Sequence, residues 1–144
     1  MAGKKVKTGY ELSGVLTEIG KKLEKDLADK FLKKLSLDAF EYLVNKTAWE
    51  TGFLRSRWDV ATNIYPPDEM EKHPGGNSYR AAAFPPVRIM WGDTVYLFNN
   101  VEYAKYLETG TPKMRAQPMV APAYQAVLLN SKMMLSKLNK RKIP

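Results

Sequence analysis

One histidine, His73, stands in a chain that has no cysteine. It lies in Glu69-Met-Glu-Lys-His-Pro-Gly-Gly76, with Asp68, Glu69 and Glu71 beside it. Such groups are the raw material of metal binding and acid–base catalysis. A histidine-cluster metal site needs several imidazole or thiolate ligands, and a nucleophile–histidine triad needs three matched parts. One histidine and no thiol supply neither set. The three carboxylates suit a hard cation better, but they lack Asp-x-Asp-x-Asp-Gly calcium-loop spacing and share their segment with Lys72. A solvated loop is the ordinary reading of such a cluster.

The remaining candidates also fall short of catalysis. Gly110-Thr-Pro-Lys113 has a glycine and a lysine but not the Gly-x-x-x-x-Gly-Lys-Ser/Thr spacing that cradles phosphate. Glu102 and Glu108 fall on different faces of a short helix and so form no acid/base pair. Trp49, Trp58, Trp91, Tyr96 and Phe98 sit at helix or strand positions that core packing already explains. Tyr79-Arg80 and Tyr103-Ala-Lys105 interleave aromatics with cations, yet they do not make an aromatic-rich single-strand platform. No enzyme signal survives.

The elements that must position these residues follow from periodicity. Residues 1–10 read as a flexible basic arm. From Glu11 to Lys46 the pattern is helical, with Leu16, Ile19, Leu23 and Leu27 on one face. The stripe drifts after Leu27. Ser36 can cap a new helix with Asp38 in its first turn, so two segments meeting near Ser36 are expected, with one bent helix as the alternative. Phe40, Leu43, Val44 and Thr47 give the second segment its face. Thr51-Gly52 stops it, glycine accepting the positive φ of a helix end. Trp58, Val60, Thr62 and Ile64 then alternate with polar or small residues as a half-buried strand.

Residues 66–86 hold Pro66, Pro67, Pro74, Gly75, Gly76, Pro85 and Pro86. That composition leaves little room for regular structure. Connections of this length tend to be functional or disordered, and Ala81-Ala-Ala-Phe84 suggests an arm that orders against a neighbour. Arg88 to Asn99 reads as a hairpin turning at Gly92-Asp93. Val101 to Glu108 reads as a short helix and 110–118 as a loop. Pro118 or Pro122 opens a last helix to about Leu138, proline being tolerated in a first turn. Val120, Tyr124, Val127, Leu128, Leu135 and Leu138 form its inner face. Ala123, Ala126, Leu129, Met133 and Met134 widen that face beyond what a small sheet covers, which points to a subunit interface.

At 144 residues, 44% of them hydrophobic, the chain is expected to be one folded domain over 1–144. The lack of cysteine suits a reducing cytoplasm. No apolar run approaches the ~18 residues of a membrane span, and no secretory signal is expected at the start. Charge is one-sided. Glu108 is the last acidic residue, so residues 109–144 carry +7 of the net +8. A solvated tail is the plain reading of the basic end at 139–144. The other is contact with something negative, nucleic acid or an acidic neighbour, through Lys132, Lys137, Lys140, Arg141 and Lys142.

Two stretches carry a family resemblance. The first is Lys46-Thr47 with Glu50-Thr-Gly-Phe-Leu-Arg-Ser-Arg-Trp58. The second is Asn100-Val-Glu-Tyr-Ala-Lys-Tyr-Leu-Glu-Thr-Gly-Thr111, followed by Met114, Pro118, Pro122 and Ala123. In that order, these blocks resemble the helix-to-strand junction and the Tyr-Ala-x-x-x-Glu-x-Gly-Thr element of the gene-ten-like tail-completion, or neck, proteins of long-tailed bacteriophages. The likeness covers roughly residues 30–138. It departs where the family's proline after the first threonine is replaced by Ala48-Trp49, and in the long 66–86 loop.

The resemblance implies a structural virion protein that completes the tail and joins it to the head, made in the host cytoplasm and resident at the head–tail junction. It implies tail-terminator and head-completion partners, with the tape-measure protein as a further candidate. A homo-oligomeric ring, sixfold like the tail, with DNA passing through its lumen also follows, and no cofactor. Partner-interface candidates are Arg55, Arg57, Trp58, Tyr103, Tyr106, Glu108, Lys113, Met114 and Arg115. Gly52 and Gly110 suggest turns that bring Arg55 and Glu108 together as a charge-assisted pair, with two independent surface charges as the alternative. The expected fold is α+β: a small antiparallel sheet packed against a long N-terminal helical segment and a C-terminal helix. The alternative function is a small basic nucleic-acid-binding protein using its C-terminal helix and tail.

Overall fold

The computed structural model of the protein describes the backbone of residues 2–47 and 52–140, and the side chains of residues 11–47 and 52–140. The expectations placed on Ala48, Trp49, Glu50, Thr51, Arg141 and Lys142 lie outside the described residues. In chain order the elements are α1 (Ala2–Lys22), α2 (Lys25–Lys46), α3 (Phe53–Ser56), β1 (Asp59–Thr62), β2 (Val95–Phe98), α4 (Ala104–Thr109) and α5 (Val120–Lys140). The fold is α+β. Long helices at both ends flank a two-stranded antiparallel sheet, and α5 packs on both α1 and α2.

Two helical segments are present at the N-terminal side, but the first begins at Ala2, well before Glu11. Their junction is Leu23-Glu24 rather than Ser36. Glu24 leaves the helix with ψ 155°, and α2 restarts at Lys25. Ser36 lies inside α2, where its hydroxyl donates to the Leu32 carbonyl at 2.8 Å, one turn back. A buried serine satisfied that way need not cap anything. Leu27, counted on the first stripe, faces solvent on α2 instead, while Ala28 beside it is buried.

The hydrophobic core forms where α2 meets the sheet and the short helices. Phe40, Leu43 and Val44 of α2 pack with Phe53, Leu54, Trp58, Val60, Val101, Met119 and Ala123. In the sheet, Val60 faces Leu97 and Thr62 faces Val95, so these four share one side. Ile64 lies beyond the strand and is exposed, against its expected place on the buried face. Val120 is likewise exposed, at the first turn of α5.

The 88–99 hairpin is not formed. β2 pairs with β1, and residues 63–94 make up the whole connection between them. The Gly92 turn exists, with φ 99° and the Asp93 N–H donating to the Met90 carbonyl at 3.0 Å, yet residues 88–91 pair with nothing as a strand. A competing contact diverts them. The Trp91 N–H goes instead to Asp29 of α2 at 2.6 Å. That bond, with Lys25 beside it, holds the Asp29 carboxyl below the ordinary aspartate value. The Met90 N–H, then Asn63, do the same for Asp93.

Trp91 also explains a glycine inside α1. A Cβ on Gly20 would stand 2.6 Å from an indole carbon of Trp91. Gly20→Ala is therefore expected to destabilise the protein, although alanine outranks glycine by ~1 kcal/mol in an ordinary helix. Thermal unfolding checks this, and a raised midpoint would mean that Trp91 is not held against the helix.

Candidate functional site

The second resemblance block folds into a corner between α4 and α5. Gly110, after α4, takes φ 79°, and a Cβ there would lie 2.9 Å from the Ala116 nitrogen and 3.1 Å from the Met114 oxygen. Only glycine lets the chain double back that closely. Thr111 and Met114 exchange backbone hydrogen bonds at 2.9 and 3.2 Å, and the Gln117 N–H donates to the Leu107 carbonyl at 2.7 Å. The corner thus presents a fixed tip. Lys113 and Arg115 are exposed on it, while Met114 is half-buried. Tyr103 is half-buried against the core, and Tyr106 is exposed with the Lys105 ammonium 5.0 Å from its ring centre.

Glu108 closes this corner. Its carboxylate accepts the N–H groups of Met119 at 2.8 Å, Val120 at 2.9 Å and Ala121 at 3.1 Å. These are the donors that open α5 and have no partner within the helix. A negative charge at that end also opposes the helix dipole favourably. Sequence reasoning missed the role. The only available signal was a glutamate just before a Gly-Thr turn and a proline-started helix.

The first block builds a second corner. Gly52, with φ 84°, leads into α3, and the Arg55 Nη2 donates to the Thr47 carbonyl at 2.9 Å. Arg55 is thus fastened to the end of α2, while the Glu108 carboxylate holds the start of α5. Arg57 pairs with Glu71 at 2.5 Å and lies 6.0 Å from the Phe53 ring centre. Trp58 belongs to the core rather than to an interface. It is buried, and its indole N–H donates to the Thr47 hydroxyl at 2.7 Å. The Asn99 side-chain amide holds the Leu54 carbonyl at 2.8 Å and fastens β2's end to α3.

The 66–86 segment docks on its own chain. Phe84 packs edge-on against Phe40 with centroids 5.3 Å apart, and the Ala82 N–H donates to the Arg55 carbonyl at 3.1 Å. His73 and Tyr79 both pack against Phe53, at 4.8 and 5.0 Å. His73 Nδ1 accepts the Gly75 N–H at 2.8 Å, and the Tyr79 hydroxyl donates to the Gly75 carbonyl. The apolar run 81–84 thus covers part of the core. Asp68 and Glu69 remain exposed, and no group of metal-holding side chains gathers among the described residues.

On α5, Lys132 pairs with Glu11 of α1 at 2.5 Å, while Lys137 and Lys140 are exposed in the last turn. Between α1, α2, α5 and β2 runs an apolar cleft of about 350 Å³, bordered by Leu12, Leu16, Leu97 and Tyr124. Burial pushes the Tyr124 phenol above its ordinary value. No described helix is long and apolar enough to cross a membrane. No family model matches the chain, and neither a curated protein nor a solved structure does.

Proposed function

We propose that this chain is a structural component of a long-tailed phage or prophage particle. In this reading it completes the tail and joins it to the head at the neck, through protein–protein assembly and without catalysis. The observation that carries the reading is the α4–α5 corner. The Glu108-Thr-Gly-Thr111 element, part of the second of the two stretches that carry the family resemblance, fixes the tip on which Lys113 and Arg115 are exposed, with Tyr106 exposed on α4 beside it. A rigid, exposed tip of mixed aromatic and basic character suits a docking surface. Two carboxylates of the corners serve the fold: Glu108 on the start of α5, and Glu71 on Arg57.

Tail-terminator and head-completion proteins are the proposed neighbours, in a ring around the DNA path. The test is a stop codon early in the gene, in the genome that carries it, followed by electron microscopy of the induced lysate. Filled heads and full-length tails lying unjoined are expected. Normal infectious particles would sink the reading. DNA binding through Lys137 and Lys140 is the alternative, and its affinity should fall by orders of magnitude between ~50 and ~200 mM salt.

A further inference from the structure

An exposed apolar group lies just past β1. Ile64, Tyr65 and Met70 are 78%, 69% and 60% exposed. Their backbone is held rather than loose. The Asn63 N–H donates to the Thr94 carbonyl at 2.8 Å, and the Asn63 side chain bonds Asp93 and the Thr94 N–H. Tyr65 packs edge-on against Tyr96 at 5.4 Å, and the Asn100 side-chain amide donates to the Pro67 carbonyl at 3.0 Å. Glu71 then ties the segment's end to residues 100 and 102 by backbone bonds of 2.7 and 2.9 Å. Between these anchors Asp68 and Glu69 stand exposed beside the apolar side chains. Large apolar groups displayed on a fixed backbone, with charges among them, mark a surface built to be covered.

A surface of opposite sign lies on α5. Leu129 and Met133, one turn apart, are 59% and 51% exposed. Lys137 and Lys140 continue the same stripe toward the helix end, since residues at three- and four-residue spacing share a face. No acidic residue follows Glu108 anywhere in the chain. The opposite side of α5 is occupied by α1 and α2.

We propose that these two surfaces bind each other in neighbouring copies of this chain. The acidic, apolar 64–70 segment of one copy seats on the Leu129–Met133–Lys137–Lys140 stripe of the next. Apolar groups supply the buried area, and the opposite charges set the register and exclude a like-to-like pairing. Because the patches are unlike, the contact is head-to-tail. Such a contact propagates into a closed ring or an open filament rather than a two-fold dimer. The inference rests on the assembly reading above and supplies its self-association surface.

Charge reversal tests it on the full chain. Sedimentation velocity over a range of concentrations at ~50 mM salt, where surface charges are least screened, should show the wild type associating. Asp68→Lys with Glu69→Lys, and separately Lys137→Glu with Lys140→Glu, should each weaken association roughly tenfold or more. An equimolar mixture of the two variants should associate again, because each then offers the sign that the other lacks. Circular dichroism confirms that both variants remain folded. A monomeric wild type, association untouched by either reversal, or a mixture that stays dissociated would each overturn the proposal. The stop-codon experiment is independent of these outcomes. Unjoined heads and tails with no charge-swap rescue would remove this surface and leave the junction role standing. Rescue together with normal particles would do the reverse.

Discussion

Replacing Thr47 by valine is expected to lower the unfolding free energy by about 2 kcal/mol, the cost of leaving a buried donor unpaired. Thr47 is 1% exposed. Its hydroxyl donates to the Leu43 carbonyl at 2.7 Å and accepts the Trp58 indole N–H at 2.7 Å. Valine keeps the shape but removes the acceptor, and Trp58 is buried too deeply for water to replace it. The Leu43 carbonyl suffers less, because it still receives the Thr47 backbone N–H at 3.1 Å. The loss therefore falls on the indole. Thr47→Ser retains the hydroxyl and gives up a methyl, so about 1 kcal/mol is expected there. In the Trp58→Phe background the valine change should cost much less, since no indole N–H remains to be stranded. Urea unfolding of the single and double variants measures all three. Strict additivity of the two changes would show that the bond is not a stabilising one.

That joint marks the boundary of what could be read from the residues. Thr47 and Trp58 were both legible as special positions, and Trp58 as the start of an inward-facing strand. Their bond was not, since it joins the end of α2 to the residue before β1 over a separation of 11 residues. The period of α5 and the shortness of α4 were readable because apolar spacing within one helix is a local property. The partner of β2 was not. A local turn at Gly92-Asp93 competed with the distant β1, and the Asp29 contact draws Trp91 away from a local ladder. Ser36 failed as a boundary because the same hydroxyl can cap a helix or bond back within one. At the candidate site, Gly110 announced its turn, whereas Glu108 acts on residues eleven to thirteen positions ahead. Spacing rules do not reach that far.

Glu108→Ala is expected to cost about 1–2 kcal/mol, the range measured for loss of a helix N-terminal cap with its charge–dipole contribution. Three N–H groups lose their acceptor, and Met119 is the most buried of the three residues that carry them. Glu108→Gln keeps one carbonyl oxygen as acceptor and loses the charge, so roughly half that cost should remain. Amide hydrogen exchange should accelerate at residues 119–121 in both variants and little at the far end of α5. Arg55→Ala combined with Glu108→Ala should be additive to within ~0.5 kcal/mol, because Arg55 holds the Thr47 carbonyl while Glu108 holds the first amides of α5. Coupling well above that would support a charge-assisted pair between them. The functional consequence is sharper than the energetic one. Glu108 fixes α5 to the turn that carries Lys113 and Arg115, so its loss loosens the tip while the core around Phe40 stays intact. If the tip is the docking surface, Glu108→Ala particles should show unjoined heads and tails at temperatures where the purified variant is still folded. Joining at the wild-type level under those conditions would mean that docking does not use this corner.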